Sequence, residues 1–105
     1  MRFGSTIPDT SFYKFASDTK IGSITVKAHE TLIINLHGLH TNANQWQRPF
    51  EFLPDRFDPT HTLAKTPSGE KRHPYAFVPF SGGTRICFGK SLAEMGGKTL
   101  LTMMT

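Results

Sequence analysis

The sequence predicts an α+β fold in which most of the chain is irregular. Two short runs rich in β-branched residues, Ile21–Val26 and Thr31–Leu36, are typical of strands. Prolines and large aromatic residues alternate over residues 49–59, where fixed backbone angles rule out a continuous helix. Apolar residues about one helical turn apart predict a longer helix over Gly89–Thr105.

The two β-rich runs are expected to pair as a hairpin. Lys27–Glu30 lies between them and would form the turn. An isolated hairpin is marginally stable in water, so it should pack on another element. Ahead of this hairpin, Gly4 and Pro8 are expected to end a helix that covers Met1–Phe3.

The middle of the chain predicts one short helix followed by loops. Thr41 or Asn42 can cap a helix that runs through Trp46. Residues 58–76 are polar and predict an exposed loop. The C-terminal helix contains Gly96–Gly97, which weakens a helix, so close packing is the expected compensation.

Length, charge and cysteine content exclude several classes of protein. A chain of 105 residues is at most one domain, or a piece of a larger one. Its single cysteine excludes an internal disulfide and a zinc site with two thiolates. The net charge is +4, but only Lys71–His73 is a basic cluster, and it lacks alternating aromatic residues. We therefore expect no nucleic-acid partner and a basic surface that meets an acidic protein.

The stretch FSGGTRICFG, residues 80–89, surrounds the only cysteine with glycines. Cys87 lies between a glycine-rich turn and a predicted helix, where the helix dipole and free backbone N–H groups favour a thiolate. Gly82 and Gly83 permit backbone angles that other residues resist, and Gly89 would let a flat molecule approach the first helical turn.

The other side chains of this stretch favour a particular kind of ligand. Phe80 and Phe88 are expected to shield the sulfur from water, and Arg85 can meet an anion. A soft thiolate, apolar cover and an anion-binding arginine suit a haem with carboxylate propionates. Two alternatives stay open at this point: a small buried hydrophobic cysteine, and a nucleophilic cysteine that would need a base.

The cysteine stretch resembles the haem-binding signature of the cytochrome P450 family at every defined position, which here are Phe80, Gly83, Arg85, Cys87 and Gly89. An upstream segment resembles the aromatic meander of the same family, with Asp55 where glutamate is usual. Its matching residues are Trp46, Pro49, Phe52, Pro54, Arg56 and Phe57.

The resemblance implies a haem-thiolate monooxygenase with haem b as its cofactor. Cys87 would be the metal ligand, and Arg85 would hold a propionate. The other residues that the resemblance places at the cofactor are Phe80, Gly83, Gly89 and His40. An alternative for His40 is a solvated residue at a helix entry, and Lys14 is the nearest cation for a second propionate.

The resemblance also gives two arginines a structural role. Arg2 and Arg56 would pair with a glutamate upstream of Met1 and lock the core around the haem. Residues 1–105 would then be the C-terminal, haem-binding part of a larger domain of the mainly α-helical cytochrome P450 fold. That part comprises the hairpin, the meander, the cysteine loop and the helix after it.

Further implications concern partners and location. Two electrons would come from an NADPH-dependent reductase or a ferredoxin, which could contact Lys90 and Lys71–Arg72. The substrate would be a small apolar organic molecule, and the chain alone is expected to be inactive. An endoplasmic reticulum membrane is the expected location if an anchor lies upstream. A haem-thiolate isomerase or dehydratase, and a non-functional haem-binding remnant, are the alternative functions.

Overall fold

The computed structural model describes Arg2 and residues 12–105, and the helix end predicted at Gly4 lies outside them. Most of the described chain is irregular, as expected. Its helices and strands are, in order, β1 (Thr19–Ile21), β2 (Ile24–Val26), α1 (Leu36–His40) and α2 (Lys90–Met104). Four single-turn 3-10 helices lie between α1 and α2, at Pro54–Phe57, Thr62–Ala64, Pro74–Ala76 and Gly83–Arg85.

The hairpin forms around the first β-rich run and not between the two runs, so its turn comes earlier in the chain than the sequence predicts. β1 and β2 pair antiparallel with Ile21 opposite Ile24, so the turn is Gly22–Ser23. Gly22 has a φ of +59°, which glycine adopts at little cost. The predicted turn Lys27–Glu30 also exists, with Glu30 N–H donating to Lys27 O over 3.2 Å. It carries the chain away from β2, so the predicted pairing of the two β-rich runs is wrong.

The second β-rich run pairs instead with residues that precede β1. Tyr13 and Leu32 exchange both backbone hydrogen bonds, at 3.0 and 2.9 Å. His29 N–H donates to Phe15 O over 2.9 Å, which fixes the same segment at a second point. This antiparallel contact holds residues 13–15 in place beside the chain that leads into α1.

Helix α1 begins earlier than predicted because Asn35 caps it. The Asn35 Oδ1 accepts the Gly38 N–H over 2.6 Å, and the helix ends at His40. Residues 42–46, which lie in the predicted helix, form only one hydrogen-bonded turn, in which Trp46 N–H donates to Asn42 O over 2.9 Å. That turn brings Trp46 into the interior.

The predicted exposed loop, residues 58–76, is only partly exposed. Thr66 and Ala76 are buried, at 4% and 2% exposure. Gln47 donates from its side-chain amide to the carbonyls of Thr62 and Lys65, at 3.1 and 3.2 Å. Side-chain donors that bond to carbonyls of the loop, which the polar composition did not indicate, fold the loop onto the chain around Trp46.

Helix α2 has the predicted length and a different environment from the predicted one. None of its residues is buried. A Cβ atom added at Gly96 or Gly97 would meet no atom within 4 Å. The close packing expected at these glycines is therefore absent from the described part of the chain, because no described element covers the helix.

Candidate cofactor site

Backbone hydrogen bonds close the cysteine loop, residues 80–89. Cys87 N–H donates to Phe80 O over 2.9 Å and so joins the two ends of the loop. Inside it, the 3-10 turn Gly83–Arg85 is followed by a hydrogen bond of 3.3 Å from Ile86 N–H to Gly83 O. The loop therefore presents Cys87 from a defined backbone.

Two residues of the loop adopt left-handed backbone angles. Gly83 has a φ of +68°, as its residue type allows, and Ser81 has a φ of +64°. Gly82 has a φ of −159°, an extended angle that any residue adopts. The backbone argument for Gly82 is therefore wrong. Its lack of a Cβ matters for another reason, since a Cβ there would lie 3.3 Å from Tyr75 Cε1.

Cys87 lies immediately before helix α2, as predicted. Gly89 is the residue before the helix, and Lys90 N–H donates to Cys87 O over 3.3 Å. The cysteine is exposed and free. A Cβ at Gly89 would lie 3.8 Å from the Cys87 Sγ, so the glycine leaves the space beside the sulfur open.

The phenylalanines do not shield the sulfur in the described chain. Phe88 is fully exposed, at 103%. Phe80 is half-buried, and its carbonyl rather than its ring has a recorded contact with Cys87. The expected apolar cover is absent because no described element lies over the loop.

Within residues 12–105, the Arg85 guanidinium forms one cation–π contact, with Tyr13. Its Cζ lies 5.9 Å from the centre of the Tyr13 ring. Within residues 12–105, its guanidinium takes part in no hydrogen bond or ion pair. All five of its N–H donors are therefore available to a ligand.

A second group of residues surrounds Trp46, which is wholly buried at 0% exposure. The Trp46 ring lies 6.0 Å from Phe77 and 6.1 Å from Phe57, and the two phenylalanine rings are 5.1 Å apart. We call these three rings, with His40 and the arginines Arg2, Arg56 and Arg72, the tryptophan cluster. Trp46, His40, Arg2 and Arg56 are its buried members, whereas Phe57 is exposed at 54%.

Two guanidinium groups lie over the Trp46 ring. The Cζ of Arg72 is 3.8 Å from the ring centre, and that of Arg2 is 5.2 Å from it. Arg72 also donates to the carbonyls of Gln45 and Leu63, at 3.0 and 2.8 Å. Its predicted contact with an electron donor is therefore wrong, because this side chain points inward; Lys71 is exposed.

Arg2 and Arg56 meet at one backbone carbonyl. Glu51 O accepts from Arg2 Nη2 over 3.0 Å and from Arg56 Nη2 over 3.2 Å. Arg56 also donates to the carbonyls of Gln47 and Arg48. Both arginines are buried, at 5% and 1% exposure. The two groups predicted to lock the core thus lie side by side.

The charge of these arginines survives burial. Desolvation lowers the pKa of Arg2, with the charges of Arg56 and Arg72 adding to the effect. Burial likewise lowers the pKa of Arg56, against which Glu51 acts in the opposite direction. An arginine pKa starts so high that both groups stay protonated at neutral pH. Within residues 12–105, no carboxylate forms an ion pair with Arg56 or Arg72.

His40 belongs to the tryptophan cluster and is wholly buried, at 0% exposure. It ends α1, so the alternative of a solvated helix-entry residue is wrong. Its Nε2 accepts the Val78 N–H over 3.0 Å, which places the proton of the neutral ring on Nδ1. Burial, with the charge of Arg2 adding to it, lowers the pKa of His40, so the neutral form is favoured.

The structure thus divides the predicted site residues into two groups. Phe80, Gly83, Arg85, Cys87 and Gly89 form the cysteine loop, whereas Arg2, His40 and Arg56 belong to the tryptophan cluster. Val78 connects the groups, since it donates to His40 and accepts the Ser81 N–H over 3.0 Å. The sequence reasoning missed Tyr13, Arg72 and Val78 as contacts of these groups. Their residue types gave no signal of these contacts, because each contact is made with a residue distant in sequence.

The described residues lack two features, a cluster of metal-binding side chains and a membrane-spanning helix. Arg2 and residues 12–105 contain no group of three His, Cys, Asp or Glu side chains placed to hold a metal ion. Among the same residues, no helix has the length and apolar character that a membrane crossing requires.

Comparisons with known proteins match this arrangement of meander, thiol loop and helix. The family model described as cytochrome P450 matches residues 1–104. The chain is 37% identical to the steroid 17-alpha-hydroxylase/17,20 lyase of Felis catus over 95 residues, which are 90% of the chain and 18% of that relative. It is 43% identical to cytochrome P450 4A24 of Sus scrofa over 76 residues, which are 70% of the chain and 13% of that relative.

Solved structures agree with the sequence comparisons. A retinoic acid-bound cyanobacterial cytochrome, CYP120A1, superposes with a TM-score of 0.81 at 24% identity, over 97% of the chain and 22% of that protein. A zebra fish cytochrome P450 with abiraterone superposes with a TM-score of 0.66 at 27% identity, over 88% of the chain and 19% of that protein.

The described chain is a segment of the cytochrome P450 fold, and the protein belongs to the cytochrome P450 family. It spans less than a quarter of the length of the relatives and structures it matches. The predicted fold class, part of a larger domain of this fold, is confirmed.

Proposed function

We propose that these residues are the haem-binding part of a cytochrome P450 monooxygenase, with Cys87 as the protein ligand of the haem iron. One observation carries the proposal. The only thiol of the chain is exposed at the end of a closed loop, directly before α2, in the loop that matches the family pattern. A single soft protein ligand at an accessible position suits haem iron, because the porphyrin nitrogens would supply four of its other ligands.

The residues around Cys87 fit a flat, doubly anionic cofactor. Gly89 leaves open space next to the sulfur, where a Cβ would lie 3.8 Å from Sγ. Arg85 has free donors for a propionate carboxylate. Phe88 exposes its whole ring, an apolar surface that a porphyrin or another part of a larger domain would cover.

Each residue of the loop has a role in this proposal. Cys87 would bind the iron as a thiolate, and backbone N–H groups near Gly89 would then donate to the sulfur and tune its electron donation. Phe80 would limit the access of water only once the cofactor or another part of a larger domain covers the loop, whereas Gly83 already supplies the left-handed angle that turns the loop. Bound haem supplies the iron at which molecular oxygen is activated. The proposed reaction uses O2, two electrons and two protons, places one oxygen atom in the substrate and releases the other as water.

The tryptophan cluster supports the loop from behind. Arg2 and Arg56 hold the meander by its carbonyls, and they would also hold the glutamate that the family places upstream. His40 fits a direct cofactor contact least well, because it is wholly buried and its Nε2 is occupied by Val78. We assign it the task of fixing Val78, and through Val78 the start of the loop.

The partners are part of the proposal. An NADPH-dependent reductase or a ferredoxin would supply the electrons, with Lys90 and Lys71 as candidate contacts for its acidic surface. The substrate would be an apolar organic molecule; one relative is a steroid hydroxylase and another structure holds retinoic acid. The protein would be located at the endoplasmic reticulum membrane if a membrane anchor lies upstream of these residues.

An isomerase or dehydratase of the same fold would use Cys87 in the same way and need no electron donor. The two functions separate on product analysis, because only the monooxygenase gives a product labelled by ¹⁸O2. A non-functional remnant would give neither product.

The test is the visible spectrum of the protein that carries this chain, reduced and treated with carbon monoxide. We expect the red-shifted Soret band of a thiolate-ligated haem, and we expect Cys87→Ser to abolish it together with oxygenase turnover. The isolated 105-residue chain should show no turnover and weak haem binding, because it spans less than a quarter of its relatives.

Ser91→Ala is the matched control, since Ser91 is exposed on the first turn of α2 and has no predicted role. It should keep the band and the turnover. Survival of both in Cys87→Ser would contradict the proposal.

A further inference from the structure

Arg85 is the exception among the arginines that the structure describes. Arg2, Arg48, Arg56 and Arg72 all donate to carbonyl or carboxylate oxygens. Arg85 makes no such hydrogen bond within residues 12–105, and its Cζ lies 5.9 Å from the centre of the Tyr13 ring. Among the described residues, the Tyr13 ring is therefore the group that the Arg85 guanidinium contacts.

We propose that Tyr13 is a positioning residue that holds Arg85 ready for a carboxylate of the bound haem; this inference rests on the proposed function. A guanidinium that lies over an aromatic ring is attracted electrostatically to the face of that ring. A cation–π contact uses none of the N–H donors, so they stay free to form a bidentate pair with a carboxylate.

Tyr13 suits this task because its own backbone is fixed. It exchanges hydrogen bonds of 3.0 and 2.9 Å with Leu32, and Phe15 O accepts from His29 two residues further on. The Tyr13 side chain is half-buried. A ring fixed in this way restricts the exposed Arg85 side chain before the cofactor arrives, which lowers the entropy lost on binding.

The same geometry argues against Lys14 as the second cation at the propionates. Residues 13–15 are extended along Leu32, and successive side chains of an extended segment point to opposite faces. Since the Tyr13 ring faces Arg85, the Lys14 side chain leaves from the other face. Tyr13 is the residue of this segment that acts on the Arg85 side.

The experiment measures haem release from the haem-loaded protein that carries this chain, by transfer to excess apomyoglobin. Tyr13→Leu should release haem about two- to fivefold faster, the range that follows from an exposed cation–π contact. Tyr13→Phe keeps the ring and should release haem at the wild-type rate. Tyr13→Met, a flexible side chain of similar length without a ring, is the second variant should Tyr13→Leu fold poorly, and it should behave like Tyr13→Leu.

Two further arms separate positioning from general stability. In an Arg85→Met background, Tyr13→Leu should cause no further change, because a residue that acts through Arg85 has nothing left to hold. With haem dimethyl ester, whose carboxylates are blocked, the effect of Tyr13→Leu should disappear. A destabilised fold would release both cofactors faster.

Several results would overturn the inference: equal release by wild type and Tyr13→Leu, a Phe variant that behaves like Leu, or full additivity with Arg85→Met. If the wild type has a thiolate-ligated haem but Tyr13 substitutions do not change the rate of haem release, this inference alone is refuted. A wild type without thiolate-ligated haem refutes the proposed function and this inference together.

Discussion

The residues around Trp46 and those around Cys87 differ in how they meet solvent. Trp46, His40 and Arg56 are all at 1% exposure or less, whereas α2 has no buried residue and Phe88 is fully exposed. The first region forms its own core from rings, guanidinium groups and backbone carbonyls. The second presents a thiol, an arginine and an apolar helix without covering them. We therefore expect the stability of this segment to depend mainly on the first region, and the proposed cofactor binding to depend on the second.

The largest effect in this comparison is expected from removing the indole. Trp46→Ala leaves a cavity among Phe57 and Phe77 and removes the surface beneath Arg72. It should lower the free energy of unfolding by about 3–5 kcal/mol, as for other buried aromatic residues. Urea unfolding of the protein that carries this chain measures it.

Phe88→Ala, which truncates an exposed ring, is the matched control for stability. It should change the unfolding free energy far less than Trp46→Ala if Phe88 stays exposed. Equal losses would mean that Phe88 is buried in the larger domain, and the contrast between the two regions would then be confined to this segment.

A smaller effect of opposite sign is expected in α2. Gly96→Ala adds a methyl group that meets no atom within 4 Å, so the better helix propensity should raise stability by about 0.5–1 kcal/mol. Urea unfolding and far-ultraviolet circular dichroism report it.

Gly97→Ala, the adjacent substitution, should give a gain of the same sign, since a Cβ there also meets no atom. A loss at either position would show that another part of the protein packs against these glycines. That result would restore the close packing that the sequence predicts for them.

The smallest effect is the pH dependence that His40 adds. Burial lowers its pKa in the folded state, so below about pH 6.5 the unfolded chain binds the proton first. The stability that neutral His40 contributes is therefore complete above about pH 6.5 and is lost as the pH falls toward its lowered folded pKa. His40→Gln should flatten the slope of unfolding free energy against pH between about pH 5 and 7.

His37→Gln removes an exposed imidazole from the same helix and shows how much of the slope arises without burial. A wild type that gained stability on acidification through this range, or the same slope in wild type and His40→Gln, would contradict the prediction.

Local patterns predicted those parts of the structure that depend on neighbours in sequence. Helix α2 was predicted over Gly89–Thr105 and is observed over Lys90–Met104, because apolar spacing and the glycine before it are local signals. The position of Cys87 before that helix follows from the same stretch. The family resemblance, which the comparisons confirm, supplied the larger fold.

Features that depend on distant partners could not be predicted. The sequence analysis placed the hairpin turn at Lys27–Glu30 and missed the turn at Gly22–Ser23, although both turns form. Arg72 resembled a surface cation because Lys71 and His73 flank it. Its inward position depends on the face of Trp46, which no local pattern reveals.

The shared acceptor at Glu51 has a consequence for how this segment can change over time. Among the described residues, Arg2 and Arg56 both donate to main-chain oxygens at residues 47–51. Substitutions at those positions leave the gripped atoms in place, provided the backbone keeps its path. The amino-acid sequence of residues 47–51 can therefore change between relatives while the backbone conformation is kept.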